Sequence, residues 1–105
     1  MFLYPSFEWI QIEVTSHCNC ACIYCPHTVC ADRWISRHIP LSSIKKLIPA
    51  FKKTRLVYLQ GWGEPFLHPE LFTITEMVKE AGSMVGTTTN GTLLHDEMIE
   101  KIVES

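Results

Sequence analysis

Several features typical of membrane, secreted or nucleic-acid-binding proteins are missing from this sequence of 105 residues. It contains no run of about 18 apolar residues, so nothing predicts a transmembrane helix. The N-terminal stretch MFLYPSFEWIQ lacks a basic region and contains Glu8, which is unlike a secretory signal. The net charge of −2 gives no basic footprint for nucleic acid. We therefore expect a cytoplasmic globular domain that binds neither nucleic acid nor membrane.

Cysteine is absent from most of the chain but crowded into one short stretch. All five cysteines lie between Cys18 and Cys30, and four of them fall in the segment SHCNCACIYCPH at 16–27. A disulfide framework would need an oxidising compartment and would distribute its cysteines to join distant segments. The clustering therefore favours a metal site in a reducing compartment over disulfides.

The rest of the sequence alternates strand-like and helix-like segments. Alternating apolar and β-branched residues predict strands at 9–15, 55–60 and 83–89. Apolar residues at helical spacing follow each strand in three groups: Ile44, Leu47, Ile48 and Phe51; Leu71, Ile74, Val78 and Ala81; and Met98, Ile99, Ile102 and Val103. This order predicts an α/β fold with a parallel sheet, built from about three βα units. Because the chain ends inside or just after the third helix, we expect a truncated part of a larger domain.

Individual residues are expected to mark the ends of these helices. Ser42 and Ser43 are the N-cap candidates of the first helix. Pro49 is expected to kink or interrupt that helix. Pro69 suits the first position of the second helix, and Gly82 is the expected C′ residue beyond its end.

Three unusual stretches directly follow the three predicted strands. The cysteine cluster follows the first strand, GWGEP (61–65) follows the second, and TTNGT (88–92) ends the third. In parallel α/β folds, catalytic and binding residues gather at the carboxyl ends of the strands. We therefore expect all three stretches at one edge of the sheet.

Within the cluster, Cys18, Cys22 and Cys25 form a C-x3-C-x2-C pattern. They lie on a connection of about two dozen residues, and loops of that length are usually functional. Three thiolates can bind three irons of a 4Fe–4S cluster and leave the fourth iron open to a small molecule.

Zinc is the alternative metal. Some of the three cysteines would then be joined by His17, His27 or Cys30. Zinc sites usually combine two short ligand pairs that are well separated in sequence, and the second pair is absent here.

Together, the three stretches resemble the radical S-adenosylmethionine (SAM) superfamily. The resemblance is carried by EVTSHCNCACIYCPH at 13–27, LQGWGEPFLHPEL at 59–71 and TTNGTLL at 88–94, and it covers nearly the whole chain. It is closest to the branch whose longer members carry a C-terminal domain with auxiliary clusters, the SPASM type. The resemblance implies that residues 1–105 are the N-terminal part of a radical SAM core domain, a partial (β/α) barrel. The rest of the barrel and any C-terminal domain would then be absent.

The resemblance also implies the two cofactors, a 4Fe–4S cluster and SAM. Cys18, Cys22 and Cys25 would bind the cluster, and its open iron would take the amino and carboxylate groups of SAM's methionine. Tyr24 would pack near the adenine.

The second and third stretches would contact other parts of SAM. Gly63 and Glu64 correspond to the family's glycine–glycine–glutamate stretch, which meets the methionine amino group. Trp62 stands where the first of those glycines often lies. Asn90 corresponds to residues that approach the ribose.

The implied activity is reductive cleavage of SAM to methionine and a 5′-deoxyadenosyl radical, which abstracts hydrogen from an unknown substrate, a peptide or a small molecule. No catalytic residue beyond the cluster is assignable. We expect the 105-residue chain by itself to be inactive. The alternative function is a non-catalytic iron–sulfur or zinc-binding module, a truncated or degenerate copy.

Two further features are expected to matter less. Cys20 and Cys30 are surplus to the cluster pattern and are expected to be free thiols. Seven of the nine lysines and arginines lie between Arg33 and Arg55. These form either a solvated face or a docking patch for an acidic electron donor of the flavodoxin type.

Overall fold

The computed structural model describes residues 6–105; residues 1–5, the start of the N-terminal stretch considered above, lie outside the described residues. The described part contains three strands, β1 (Phe7–Ile12), β2 (Thr54–Leu59) and β3 (Met84–Gly86). It also contains four helices, α1 (Pro26–Val29), α2 (Leu41–Phe51), α3 (Leu71–Glu80) and α4 (Asp96–Glu104), and a 3-10 turn at Pro65–Leu67. None of these helices is long and apolar enough to span a membrane.

The strands form one parallel sheet in the order β1–β2–β3. Ile10 pairs with Val57, and Val57 pairs with Val85 on its other side. The predicted α/β fold with three βα units is therefore confirmed. β1 is shorter than the predicted strand because the chain leaves the sheet after Ile12. Thr15 instead forms an isolated antiparallel bridge with His38 at the far end of the cysteine loop.

The hydrophobic core lies between one face of the sheet and the helices α2 and α3. Its buried members are Val14, Ile44, Phe51, Val57, Leu59, Leu71, Ile74 and Val78. Burying each such side chain contributes about 1.5–3 kcal/mol to folding. Because Val14 and Leu59 stand where β1 and β2 end, the core reaches the edge of the sheet from which the cysteine loop departs.

The other face of the sheet is open. Trp9 and Met84 are 56% and 55% exposed there. The Trp9 ring meets the Tyr58 ring edge to face, with centroids 5.9 Å apart. This open face carries alternate residues of each strand, in contrast to the helix-covered face.

The predicted start of the first helix is wrong. α2 begins at Leu41 with Pro40 as its N-cap, so Ser42 and Ser43 belong to the first turn. Pro40 has the extended backbone that an N-cap needs, and no side chain caps this helix. Pro49 does not interrupt α2, which continues two residues further to Phe51.

The predicted end of the second helix is confirmed, but its start is not. α3 begins at Leu71 with Glu70 as N-cap, so Pro69 precedes the helix rather than opening it. At the other end, Gly82 has a φ of 97° and donates its N–H to the Lys79 carbonyl at 2.9 Å. Ser83 donates to the Val78 carbonyl at 3.3 Å, which completes a Schellman motif.

Candidate functional site

The stretches that follow β1, β2 and β3 are in direct contact at the carboxyl edge of the sheet. The backbone N–H of Glu64, after β2, donates to the carbonyl oxygen of His17 at 2.7 Å. The backbone N–H of Asn90, after β3, donates to the Glu64 carboxylate at 3.0 Å. His17 immediately precedes the first cysteine. Glu64 therefore connects all three stretches. Their position at one edge of the sheet is the one expected for stretches that follow parallel strands.

Gly63 occupies a position that has no room for a side chain. A Cβ atom there would collide with the carbonyl oxygen of Thr15 and lie 2.7 Å from that of His17. Glycine at this position is therefore required by the backbone that follows β1. The close approach brings the GWGE stretch (61–64) against the start of the cysteine loop.

Cys18, Cys22 and Cys25 lie on the loop that leaves β1. Cys25 is buried, whereas Cys18 and Cys22 are partly exposed. The backbone N–H of Cys25 donates to the Cys22 carbonyl at 3.1 Å, and Cys25 is the N-cap of α1. The Cys25 Sγ lies 3.9 Å from the carbonyl oxygen of Trp62, so this thiol faces the stretch after β2.

This set of donors fits an iron–sulfur cluster. All five cysteines are free thiols. The thiolates that hold a 4Fe–4S cluster each bind a different iron. Cys18, Cys22 and Cys25, which lie on one loop, are the residues that would hold such a cluster.

Cys20 differs from its neighbours. Its Sγ accepts a hydrogen bond from Asn90 Nδ2 at 3.2 Å. Partial desolvation raises the pKa of Cys20, and the charges of Cys18, Cys22 and Glu64 raise it further. Its hydrogen bond to Asn90 directs Cys20 towards the stretch after β3.

Glu64 is a buried carboxylate, with 2% of its surface exposed. Its Oε1 accepts a hydrogen bond from the Thr89 hydroxyl, and its Oε2 accepts one from the backbone N–H of Asn90. These bonds offset the cost of burying the charge. A carboxylate offers about four lone-pair directions, so the two bonds leave room for a further donor such as an ammonium group.

Asn90 belongs to a closed ring of hydrogen bonds. Its Nδ2 donates to Asn19 Oδ1 at 2.8 Å, and its Oδ1 accepts from the Thr92 backbone and hydroxyl at 3.0 and 2.8 Å. Asn19 Nδ2 closes the ring on Thr92 Oγ1 at 2.8 Å. The side chain expected near a ribose thus fastens the cysteine loop to the stretch after β3.

Two aromatic rings of the motif stretches are exposed. Tyr24, expected near the adenine, is 78% exposed and therefore accessible to a ligand. Trp62 is 53% exposed, while its backbone makes the contacts described above. A tryptophan is tolerated where the family often has glycine because its ring projects outward.

Three histidines form a row beneath the cysteine loop. The ring centroids of His17 and His38 are 4.3 Å apart, and those of His38 and His68 are 5.0 Å apart. His68 is buried; its Nδ1 accepts from the Glu70 N–H at 3.0 Å, so its Nε2 carries the proton donated to the Ile39 carbonyl at 2.8 Å. Desolvation, followed by the charges of His17 and His68, lowers the pKa of His38. The stacked rings join the start of the cysteine loop at His17 to its far end at His38.

The basic residues between Arg33 and Arg55 do not form one patch. Arg33 and Arg37 lie on the cysteine loop. Lys52 and Lys53 follow α2 at the opposite end of the sheet, where the Lys53 carbonyl accepts from the N–H of Phe7 at the start of β1, at 2.9 Å. The direction of α2 separates residues that are close in sequence.

Comparison with known proteins identifies the class. The family model described as the radical SAM superfamily matches residues 12–105. The chain is 34% identical over 99 residues to the tungsten-containing aldehyde ferredoxin oxidoreductase cofactor-modifying protein of Pyrococcus furiosus, covering 92% of this chain and 28% of that protein. It is 31% identical over 102 residues to the GTP 3′,8-cyclase of Chlorobaculum tepidum, covering 93% of this chain and 30% of that protein.

A solved structure shares the fold. The crystal structure of BtrN in complex with AdoMet and 2-DOIA superposes with a TM-score of 0.81 and 26% identity, over 95% of this chain and 42% of that chain. The protein belongs to the radical SAM superfamily. It spans less than a third of the length of the two curated relatives described above.

Sequence reasoning missed three residues that organise this site. Thr89 and Asn19 lie inside stretches that the motifs identified, but nothing in the sequence indicates that they bind Glu64 and Asn90. Glu13 falls within the strand predicted at 9–15, but β1 ends at Ile12 and the Glu13 Oε1 accepts the Trp62 N–H at 2.8 Å. The alternation of polar and apolar residues that predicts a strand carries no information about such partners.

The buried Glu64 carboxylate predicts a specific cost for losing the Thr89 hydroxyl. Thr89→Val keeps the shape of the side chain but leaves Oε1 without its donor, so we expect a loss of about 1–3 kcal/mol in the free energy of unfolding. Urea unfolding followed by circular dichroism measures it. Thr73→Val, an exposed change on α3, is the control and should stay within about 0.5 kcal/mol. Equal stability of the two variants would show that Thr89 does not support Glu64.

Proposed function

We propose that this chain is the cluster-binding and SAM-binding part of a radical SAM enzyme. The observation that carries the proposal is the contact between two of its motifs. The Cys25 thiol faces the Trp62 carbonyl at 3.9 Å, and Glu64 is bonded to the residue before Cys18. The proposed cluster ligands and the GWGE stretch therefore lie at the same edge of the sheet.

The proposed roles follow from these positions. Cys18, Cys22 and Cys25 hold a 4Fe–4S cluster, which when bound supplies the electron that cleaves SAM into methionine and a 5′-deoxyadenosyl radical. Gly63 keeps the GWGE stretch close to the cysteine loop, and Glu64 receives the methionine ammonium. Tyr24 offers its exposed ring to the adenine. Asn90 fastens the cysteine loop to the stretch after β3, and its proposed place near the ribose rests on the resemblance.

The remaining parts of the proposal rest on the sequence. Membership of the SPASM-type branch, and the assignment of residues 1–105 to the N-terminal part of a core domain, rest on the motif resemblance alone. Five free thiols fit a reducing compartment such as the cytoplasm. A non-catalytic iron–sulfur or zinc-binding module is the alternative function, and a SAM-dependent change in the spectrum of a bound cluster distinguishes the two.

The metal assignment predicts a difference between the three pattern cysteines and the two surplus ones. Anaerobically reconstituted protein should contain about four irons and absorb broadly near 400 nm. Changing Cys18, Cys22 or Cys25 to Ala should abolish this absorption, because each binds a separate iron. Cys20→Ala and Cys30→Ala are the matched controls and should retain it. Stoichiometric zinc without iron after anaerobic purification contradicts the assignment.

The role of Glu64 predicts weaker SAM binding on neutralisation. Glu64→Gln removes the charge that pairs with the ammonium, a charge-assisted hydrogen bond of about 1.5–3 kcal/mol, so SAM affinity should fall roughly tenfold to a hundredfold. Titration of SAM against the spectrum of the reduced cluster measures the affinity. Iron content should not change, and Glu76→Gln on α3 should leave both quantities unaltered. An unchanged SAM affinity would remove Glu64 from the site.

Because the basic residues do not form one patch, an acidic electron donor would contact only some of them. Arg33 and Arg37 lie on the loop that carries the cysteines, so they are the residues that a flavodoxin-type donor would meet. We expect the double change Arg33→Glu and Arg37→Glu to slow reduction of the cluster by such a donor at low salt. Lys45→Glu and Lys46→Glu, on α2, provide the matched charge change. Stopped-flow absorption measures the rate of cluster reduction. Equal slowing by both pairs of changes would indicate a general charge effect and no docking at the loop.

A further inference from the structure

A hollow on the open face of the sheet has no role in the function proposed above. Its volume is about 460 Å³, and it is lined by Gln11, Glu13, Gln60, Gly61, Trp62 and Thr88. These residues come from β1, from the chain just after it and from the stretches after β2 and β3, so the hollow lies at the carboxyl edge. It shares Trp62 with the candidate cluster site.

The Glu13 carboxylate in this hollow is held in place by two contacts. Its Oε1 accepts the backbone N–H of Trp62 at 2.8 Å. Its side chain lies flat against Gly61, where an added Cβ atom would come within 2.6 Å of the Glu13 Cδ. The second oxygen, Oε2, binds no other described residue, and the ion pair found in the described part of the chain joins Arg55 to Glu8 instead. Glu13 is therefore a preorganised carboxylate whose charge is not neutralised by a neighbouring cation.

The two glutamines are oriented by their neighbours. The Thr88 hydroxyl donates to Gln60 Oε1 at 2.5 Å, and Gln11 Nε2 donates to the Gln60 carbonyl at 3.2 Å. These bonds determine which end of each amide is occupied. Gln60 Nε2 is left as a donor, and Gln11 Oε1 is left as an acceptor, without partners among residues 6–105.

The chemistry of this lining selects for a cation that also carries polar groups. A carboxylate attracts an ammonium group through charge-assisted hydrogen bonds, and the face of an exposed indole such as that of Trp62 attracts the same cation. A free amide donor and a free amide acceptor suit hydroxyl or amide groups beside that cation. An anionic ligand would be repelled by the Glu13 carboxylate.

We propose that this hollow binds the substrate through a protonated amine, which pairs with Glu13 against the Trp62 ring while adjacent polar groups bind Gln60 and Gln11. The inference rests on the proposed function, because it places the substrate next to the cluster. Trp62 connects the two sites: its N–H is held by Glu13, and its carbonyl faces the Cys25 thiol at 3.9 Å.

Binding of matched small molecules to the cluster-free chain tests this proposal. Glucosamine and glucose differ by one ammonium in place of one hydroxyl, and each is titrated while the side-chain amide signals of Gln11 and Gln60 and the indole signal of Trp62 are followed by NMR. A carboxylate and an aromatic face at an exposed site should favour glucosamine by about fivefold to tenfold. Nα-acetyl-lysine methylamide and its Nε-acetylated form test whether the amine belongs to a peptide. Selective binding of either amine supports the proposal and identifies its source.

Glu13→Gln separates binding from structure. The glutamine oxygen can still accept the Trp62 N–H, so that backbone amide signal should stay in place while the preference for amine disappears. Glu76→Gln should retain the preference. Three results would each overturn the proposal. The first is equal binding of each amine and its neutral counterpart, and the second is the absence of a saturable shift with any amine. The third is an undiminished preference for amine in Glu13→Gln. Because neither iron nor SAM is used, this outcome is independent of the reconstitution experiment that tests the proposed function.

Discussion

The candidate site depends on one buried carboxylate. Glu64 binds the stretch after β1 through its backbone N–H and the stretch after β3 through both side-chain oxygens. A buried charge is unfavourable unless its hydrogen bonds are made. The stability of Glu64 therefore requires all three stretches to be in place at once. This coupling converts three separate loops into a single site with one geometry.

Negative groups gather around Cys20. Partial desolvation raises the pKa of Cys20, and the charges of Cys18, Cys22 and Glu64 raise it further. Metal binding requires deprotonated thiols, and a bound cation would offset the repulsion among them. A cofactor that binds only the folded chain also stabilises that fold by mass action.

The sequence was sufficient for the architecture and for the position of the site, but not for its contacts. Strong periodicity at Ile10 and Ile12, and again from Ile44 to Phe51, predicted elements that form because their apolar faces need a common core. The partners of Glu64 were not predictable, since a hydrogen bond across 25 or 26 residues leaves no local pattern in the chain. The predicted N-cap of α2 was also wrong, because Pro40 occupies that position instead of a serine. The backbone there is already extended by proline, so the serines that usually mark an N-cap were not needed.

Polarity changes along the open face of the sheet in a way that suits the amine site. Each strand contributes an apolar residue towards its start, Trp9, Leu56 and Met84, whereas Gln11, Gln60 and Thr88 stand at or beyond the carboxyl ends. Tyr58 lies between the two halves, and its ring covers Gly86, where any side chain would come within 2.8 Å of it. The apolar half gives a ligand no polar side-chain partner. Polar recognition is therefore confined to the carboxyl ends of the strands. There Trp62 binds Glu13 through its N–H and faces Cys25 of the cysteine loop through its carbonyl oxygen.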